Sequence, residues 1–137
     1  MSGPRMWREF VETYSLIGKR CEKCETRFFP IKNICGNCES TSLSVYRFCG
    51  KGEIVTFSII RTPMTDSDGQ STDRFARCSP YIIAIIKLEE GPMLTTQVVD
   101  CEIGEVAIGK KVDAVFRKIA EKGQKGVIQY GYKFKLV

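Results

Sequence analysis

The segments Cys21-Glu22-Lys23-Cys24 and Cys35-Gly36-Asn37-Cys38 decide the fold of this 137-residue chain. Each C-x2-C pair can form a tight turn, here called a knuckle, that directs both sulfurs at one position. Two knuckles brought together offer four thiolates in a tetrahedral arrangement. Such an arrangement suits Zn²⁺, with Zn–S distances of about 2.3 Å. The spacing therefore predicts a zinc ribbon.

The predicted metal ligands are Cys21, Cys24, Cys35 and Cys38. The chain has no histidine, so a closed site has to use thiolates alone. A closed site leaves no coordination position for water, and we therefore expect the metal to be structural. Disulfides and four unrelated free thiols are the alternatives to a metal. Iron in a rubredoxin-like site is the main competitor of zinc.

The bulk composition fits one compact unit or two very small ones. Hydrophobic residues make up 43% of the chain and charged residues 27%, both ordinary for a globular protein. A ribbon of about 35 residues is too small to fold on its apolar core alone, so its metal contributes folding energy. Seven cysteines without a signal peptide indicate a reduced, cytoplasmic compartment. The longest apolar run, from Tyr81 to Ile86, is far shorter than the ~20 residues needed to span a membrane.

The N-terminal residues show the periodicity of a short helix. Trp7, Phe10, Val11 and Tyr14 fall at positions i, i+3, i+4 and i+7, which form one face. A helix of about ten residues does not persist alone, so this face has to pack on something. It packs either on its own domain or on another protein, for which Trp7, Phe10 and Tyr14 have the composition of interface anchors.

The rest of the chain predicts a mainly β protein. We expect a helix in residues 1–15, a rubredoxin-like zinc ribbon in residues 16–49 and a five-stranded OB-fold barrel in residues 50–137. The predicted barrel strands are 53–61, 81–88, 93–99, 111–119 and 127–136. In the last strand, alternation predicts one core face made of Ile128, Tyr130, Tyr132, Phe134 and Leu136.

Several of these segments resemble a known family of small proteins, in which a rubredoxin-like zinc ribbon precedes an OB-fold and which are associated with acyl-CoA enzymes. The resemblance extends from about residue 16 to residue 119 in the family's order. Its matching segments are Arg20-Cys21-x-x-Cys24, Phe29-Pro30, Cys35-x-x-Cys38, Gly50-Lys51-Gly52, Pro80-Tyr81-Ile82-Ile83-Ala84, Leu88-Glu89-Glu90-Gly91, and Ile108-Gly109 before Val112 and Phe116. The chain departs from the family at Glu25 and Glu39, where glycine commonly follows a knuckle, and at Ile31-Lys32, where Pro-Arg is more usual.

The resemblance implies a non-catalytic accessory subunit of thiolase-like enzymes. Similar archaeal proteins bridge an acetoacetyl-CoA thiolase and a hydroxymethylglutaryl-CoA synthase at the head of the mevalonate route. The bridge helps to pass acetoacetyl-CoA between the two enzymes. We therefore expect these two enzymes as partners and an archaeal source.

Two further segments are candidates for contact with a partner or ligand. The long loop from Thr62 to Ser79 includes Arg74, Phe75 and Arg77, which could order against a partner enzyme or an acyl-CoA. The alternative is a surface loop without such a role. Four cations, Arg117, Lys118, Lys122 and Lys125, flank the turn before the last strand. They could bind the phosphates of coenzyme A, or they could simply solvate the turn.

An enzyme is the least favoured class, because the chain lacks histidine, the commonest general base near neutral pH. Cys49, Cys78 and Cys101 remain after the metal takes four thiols, and no motif marks any of them as a nucleophile. The main alternative to a scaffold is a nucleic-acid-binding zinc-ribbon and OB-fold protein, since the net charge is +5. The central strands have few Lys or Arg residues, which argues against a nucleic-acid partner.

Overall fold

The computed structural model describes residues 3–62, 80–121, 124–125 and 128–137. The chain begins with helix α1 (Gly3–Tyr14), as the apolar periodicity predicts. Pro4 lies in the first turn, where its missing N–H costs no hydrogen bond. In these described residues, no helix is both long and apolar enough to cross a membrane.

The zinc ribbon is a three-stranded antiparallel sheet. Its strands are β1 (Ile17–Cys21), β2 (Arg27–Phe28) and β3 (Leu43–Arg47), in the spatial order β2-β1-β3. The central strand needs a glycine at Gly18, because a Cβ there would clash with the carbonyl oxygen of Phe28 and lie 2.7 Å from the Phe48 ring. The close packing of β1 against β2 thus depends on one residue type at this position.

The second sheet closes into a five-stranded barrel. Its strands are β4 (Lys51–Ile60), β5 (Tyr81–Leu88), β6 (Met93–Val99), β7 (Lys111–Glu121) and β8 (Ile128–Leu136). Their order is β4-β5-β6-β8-β7, and β7 pairs back onto β4. A 3₁₀ turn (Ile103–Glu105) precedes β7. The predicted class, a short helix followed by a zinc ribbon and an OB-fold barrel, is confirmed, while the exact domain boundaries stay predictions.

The barrel core is aliphatic around one fully buried aromatic ring. Phe134 has no exposed surface, and the largest side chains buried with it are Ile54, Ile86, Leu88 and Val112. Alternate residues of β5 point inward, as the near-continuous apolar run of that strand predicts. Burial of these side chains is the main source of barrel stability.

The predicted core face of β8 is correct only in part. Phe134 is buried, but Tyr130 is 36% exposed and Ile128 is 43% exposed. The reason is that β8 and β7 are longer than the closed part of the barrel. Residues 111–113 of β7 pair with β4, and residues 134–135 of β8 pair with β6, whereas the β7–β8 pairing continues to Glu121 and Ile128. In the half of the β7–β8 hairpin that is nearest its turn, apolar and polar residues therefore still alternate, but no other barrel strand covers the apolar side.

Aromatic packing joins the ribbon to the barrel. The ring of Phe29, which follows β2, lies edge-on to Phe48 at 6.1 Å and to Tyr132 at 5.8 Å. Arg27 of β2 stacks over the Tyr46 ring at 4.9 Å and donates to the backbone oxygen of Glu90 at 3.5 Å. The ribbon is thus packed against the β5–β6 end of the barrel and against β8.

Candidate metal centre and aromatic surface

The first knuckle is closed by two backbone hydrogen bonds. The N–H of Cys21 donates to the oxygen of Thr26 at 2.8 Å, and the N–H of Glu25 donates to the oxygen of Cys21 at 3.0 Å. Glu25 adopts a left-handed conformation with φ 61°. This turn places the Cys21 and Cys24 side chains on the same side of the loop.

The second knuckle repeats this geometry. The N–H of Cys35 donates to the oxygen of Ser40 at 2.9 Å, and the N–H of Glu39 donates to the oxygen of Cys35 at 3.0 Å. Glu39 has φ 58°. The left-handed position that follows each C-x2-C pair is therefore filled by glutamate, although glycine adopts this conformation at lower cost.

The two knuckles bring the four predicted thiols together. All four Sγ atoms lie within 4.8 Å of one another, and Cys21–Cys38 and Cys24–Cys35 are each separated by 3.5 Å. A tetrahedral ZnS₄ site requires sulfur–sulfur distances of about 3.8 Å. A disulfide requires about 2.0 Å, so the described cysteines are free thiols and the four sulfurs have the spacing of a metal site.

Hydrogen bonds favour the thiolate form at part of this site. Thr26 Oγ1 lies 3.1 Å from Cys24 Sγ, and this hydrogen bond is the main reason that the pKa of Cys24 falls to about 6. A backbone hydrogen bond from Cys24 is the main cause that lowers the pKa of Cys21. Cys35 Sγ accepts from the N–H groups of Asn37 at 3.4 Å and Cys38 at 3.5 Å.

Without a metal, the pKa of Cys38 shifts in the opposite direction. A backbone hydrogen bond from Ser40 lowers its pKa, but the hydrogen bond with Cys21 and burial outweigh this, and the pKa rises to about 12. The hydrogen bonds of the cluster thus hold the pKa of Cys38 above, and those of Cys24 and Cys21 below, the usual value of a thiol. A divalent cation would draw all four sulfurs into the thiolate form. The residues present thus fit a structural zinc ion.

A continuous row of exposed rings extends from helix α1 to the barrel. The ring centroids of Trp7 and Phe10 are 5.5 Å apart, those of Phe10 and Tyr14 5.6 Å, and those of Tyr14 and Phe116 5.4 Å. Phe116 then stacks on Tyr130 at 5.5 Å with an interplanar angle of 12°. We call these five residues the aromatic strip. Trp7 is 78% exposed and Phe116 51% exposed, so the strip covers part of the barrel while presenting its rings to solvent.

Sequence reasoning selected Trp7, Phe10 and Tyr14 but missed the barrel half of the strip. The sequence analysis names Phe116 only among the residues that match the family, and it predicts Tyr130 to be part of the barrel core. The signal that could have found them is the length of the two predicted strands. The predicted strands 111–119 and 127–136 have nine and ten residues, at the upper end of usual strand lengths, and the observed β7 and β8 extend beyond the closed part of the barrel.

Three of the four candidate cations lie among the described residues. Arg117 Nη2 lies 2.7 Å from Asp100 Oδ2, and this ion pair gives the guanidinium a partner inside the protein. Lys118 is exposed and pairs in register with Tyr130, and Lys125 is exposed in the following turn. Lys122 lies outside the described residues. A contact of these residues with coenzyme A stays a prediction.

The long-loop candidates Arg74, Phe75 and Arg77 also lie outside the described residues, as does Cys78. Their proposed role with a partner stays a prediction. Of the remaining thiols, Cys49 is exposed and Cys101 is half-buried. A hydrogen bond with Glu90 raises the pKa of Cys49, and burial raises the pKa of Cys101. Both shifts keep these thiols protonated, which is the reverse of an activated nucleophile.

The fold and the thiol cluster define a rubredoxin-like zinc ribbon followed by an OB-fold barrel. Two family descriptions match these two parts. Residues 8–44 match "ChsH2, rubredoxin-like zinc ribbon domain", and residues 46–117 match "ChsH2, C-terminal OB-fold domain". The chain belongs to this ChsH2-type, or DUF35, family.

Three archaeal relatives align with nearly the whole chain. Each is described as a DUF35 domain-containing scaffold protein. The one from Methanocaldococcus jannaschii is 46% identical over 96% of this chain and 88% of the relative. The one from Methanothermobacter thermautotrophicus is 43% identical over 96% and 93%, and the one from Pyrococcus furiosus is 39% identical over 98% and 93%.

Two solved structures share the fold. The chain described as "Ltp2-ChsH2(DUF35) aldolase" has a TM-score of 0.67 at 20% identity, covering 89% of this chain and 84% of that one. A DUF35 protein of unknown function from Sulfolobus solfataricus has a TM-score of 0.54 at 18% identity, covering 90% and 76%. At these identities the likeness concerns the fold.

Proposed function

We propose that this chain is a non-catalytic scaffold subunit that binds enzyme partners through its aromatic strip. The observation that carries the proposal is the exposure of five neighbouring rings on a small protein. A contiguous exposed apolar patch of this kind marks an interaction surface. Trp and Tyr are also the residue types most enriched among interface hot spots. The scaffold description of the three archaeal relatives supports the same role.

The chemistry of the chain supports a role without catalysis. The four clustered thiols would fill all positions of a tetrahedral metal ion, so such a metal could not bind and activate water. The chain has no histidine to act as a general base. The described thiols outside the cluster, Cys49 and Cys101, have raised pKa values. The zinc ion would serve to fold the ribbon, and the ribbon would hold α1 beside the barrel.

The partners that we propose are an acetoacetyl-CoA thiolase and a hydroxymethylglutaryl-CoA synthase in the cytoplasm. This choice follows from the resemblance of the chain to archaeal bridging proteins and from the archaeal source of the three relatives. Holding the two enzymes together would shorten the path of acetoacetyl-CoA between them. Coenzyme A phosphates would contact this chain at Arg117, Lys118, Lys122 and Lys125, where Arg117 would have to exchange its ion pair with Asp100 for a phosphate.

The test is reconstitution of the chain with the two purified enzymes from the same organism. Size-exclusion chromatography with light scattering should detect a complex that contains all three proteins. Trp7→Ala should weaken that complex by tenfold or more, because hot-spot truncations cost upwards of about 1–2 kcal/mol. Met93→Ala is the matched control, because Met93 is an exposed apolar residue of β6 outside the strip. A mixture in which no pair of proteins co-elutes would overturn the proposed function.

A nucleic-acid partner is the second candidate, because Phe116 and Tyr130 are exposed rings beside Lys118. The two rings stack on each other and Arg117 is paired with Asp100, both of which reduce what the site offers to a base or a phosphate. Titration with single-stranded RNA or DNA at two salt concentrations separates the candidates. Submicromolar affinity that falls steeply with salt would favour nucleic acid.

A further inference from the structure

A cleft lies beside the aromatic strip, where α1, the ribbon and the barrel meet. Its volume is about 170 Å³. Tyr14 and Phe116 of the strip line it, together with Ser15 after the helix, Arg47 at the end of β3 and Tyr132 of β8. The cleft is therefore continuous with the surface that we propose for partner binding.

The cleft offers hydrogen-bond donors that nothing in the described structure uses. The side chains of Ser15, Arg47 and Tyr132 have no hydrogen-bond or ion-pair partner among the described residues. Burial raises the pKa of Tyr132 to about 12, so its hydroxyl keeps its proton and can donate. Among the described residues that line the cleft, Arg47 alone is charged. The lining thus combines one positive charge, neutral donors and aromatic walls.

The two carboxylates that follow β5, Glu89 and Glu90, lie against Cys49 and do not line the cleft. Glu90 Oε1 accepts from the backbone N–H of Cys49 at 2.9 Å. Burial raises the pKa of Glu90, but its hydrogen bonds with Cys49 and the charge of Arg27 together outweigh burial and lower it. Glu89 Oε2 lies 4.0 Å from Cys49 Sγ. Among the described residues, no ion pair involves Arg47.

We propose that the cleft receives one carboxylate side chain, Asp or Glu, from an enzyme partner, with Arg47 as its ion-pair partner. The inference rests on the proposed scaffold function and specifies how one partner is recognised. Charge complementarity selects an anionic group, since guanidinium groups bind carboxylates with two parallel hydrogen bonds. Size selects a side chain, since pockets for whole small-molecule ligands have about 300–1,000 Å³. Interface hot spots are typically single side chains inserted into such pockets beside aromatic groups.

The experiment measures the dissociation constant of each of the two enzymes for the wild-type chain and for four variants, Arg47→Met, Arg47→Lys, Lys87→Ala and, for a charge swap, Arg47→Glu. Arg47→Met removes the charge and keeps the aliphatic stem, whereas Arg47→Lys keeps the charge and loses the two-pronged geometry. Lys87→Ala is the matched control, because Lys87 is an exposed cation on β5, which does not line the cleft. Melting temperature and zinc content of each variant show whether the fold is unchanged.

We expect Arg47→Met to weaken binding of one enzyme by about 30-fold or more, Arg47→Lys to weaken it less, and Lys87→Ala to leave it within about threefold. Replacing the matching carboxylate of that enzyme by Lys should restore binding to the Arg47→Glu variant. If the Arg47→Met variant binds the enzyme as tightly as the wild-type chain, the cleft inference is overturned and the scaffold function is unaffected. If Arg47→Met and Arg47→Lys weaken binding of the enzyme equally, the proposal that a carboxylate occupies the cleft is overturned. Failure of the wild type to bind either enzyme overturns the scaffold function, and the cleft inference with it.

Discussion

Glu25 and Glu39 occupy equivalent positions in the two knuckles. Each donates its backbone N–H to the oxygen of the first cysteine of its knuckle at 3.0 Å, and their φ values are 61° and 58°. Glycine reaches this left-handed region without a steric penalty, whereas other residues pay roughly 1 kcal/mol or more. The two departures from the family pattern are thus two places where the ribbon stores backbone strain.

Glu39→Gly should stabilise the chain by about 0.5–1 kcal/mol, because relief of the left-handed strain exceeds the entropy that glycine adds to the unfolded state. Thermal unfolding of the zinc-loaded protein measures the change. Asn37→Gly is the matched control in the same knuckle, since Asn37 has no positive φ, and it should be neutral or destabilising. Glu25→Gly should stabilise the chain less than Glu39→Gly, because it also removes the ion pair between Glu25 and Arg20, whose atoms are 2.7 Å apart. Equal effects of Asn37→Gly and Glu39→Gly would contradict this account.

Gly18→Ala should destabilise the ribbon by about 1–3 kcal/mol or more, since the added methyl group meets the backbone oxygen of Phe28 and the ring of Phe48. Gly36→Ala provides the comparison, because a Cβ at Gly36 meets nothing within 4 Å and the position has no positive φ. That variant should melt at or slightly above the wild-type temperature. Urea unfolding curves of the two variants distinguish them. A Gly18→Ala protein as stable as the wild type would show that β2 can move away from β1 at little cost.

Cys35→Ser should reduce bound zinc well below one ion per chain and lower the melting temperature, because Cys35 is almost fully buried and belongs to the thiol cluster. Elemental analysis by mass spectrometry gives the metal content and identity, including zinc against iron. Cys49→Ser should retain the metal and the melting temperature, since this exposed thiol lies outside the cluster. Loss of metal from both variants, or from neither, would be inconsistent with a site made of the four clustered thiols.

Glu90→Gln should speed the alkylation of Cys49 by iodoacetamide near pH 8. The hydrogen bond with the Glu90 carboxylate raises the pKa of Cys49, so the wild-type thiol ionises only above its usual range. Loss of the negative charge lowers that pKa and increases the thiolate fraction that reacts. Mass spectrometry of the Cys49 peptide over pH 7–10 gives the two profiles. The Glu102→Gln variant, which removes an exposed carboxylate beside the 3₁₀ turn, should follow the wild type.

The sequence alone predicted the elements whose cause is local. The two C-x2-C spacings bring each pair of sulfurs to one side of a turn, and the structure places all four thiols within 4.8 Å, although their role as metal ligands stays a prediction. Strand β5 was predicted with its observed bounds, because a buried strand is a short apolar run between turn residues. The helical face of Trp7, Phe10 and Tyr14 follows from its 3.6-residue period.

The features that only the tertiary structure decided depend on where distant segments meet. Alternation marks Tyr130 and Phe134 as one face of β8, but the barrel closes over Phe134 and ends before Tyr130. Arg117 of β7 meets Asp100, which follows β6, although β8 lies between these two strands in the barrel, and no local pattern reveals this contact. Arg47 and Phe116 line one cleft because the ribbon packs on the barrel. Sequence periodicity fixes which side of an element is apolar, whereas chain closure and packing fix how much of that side is covered.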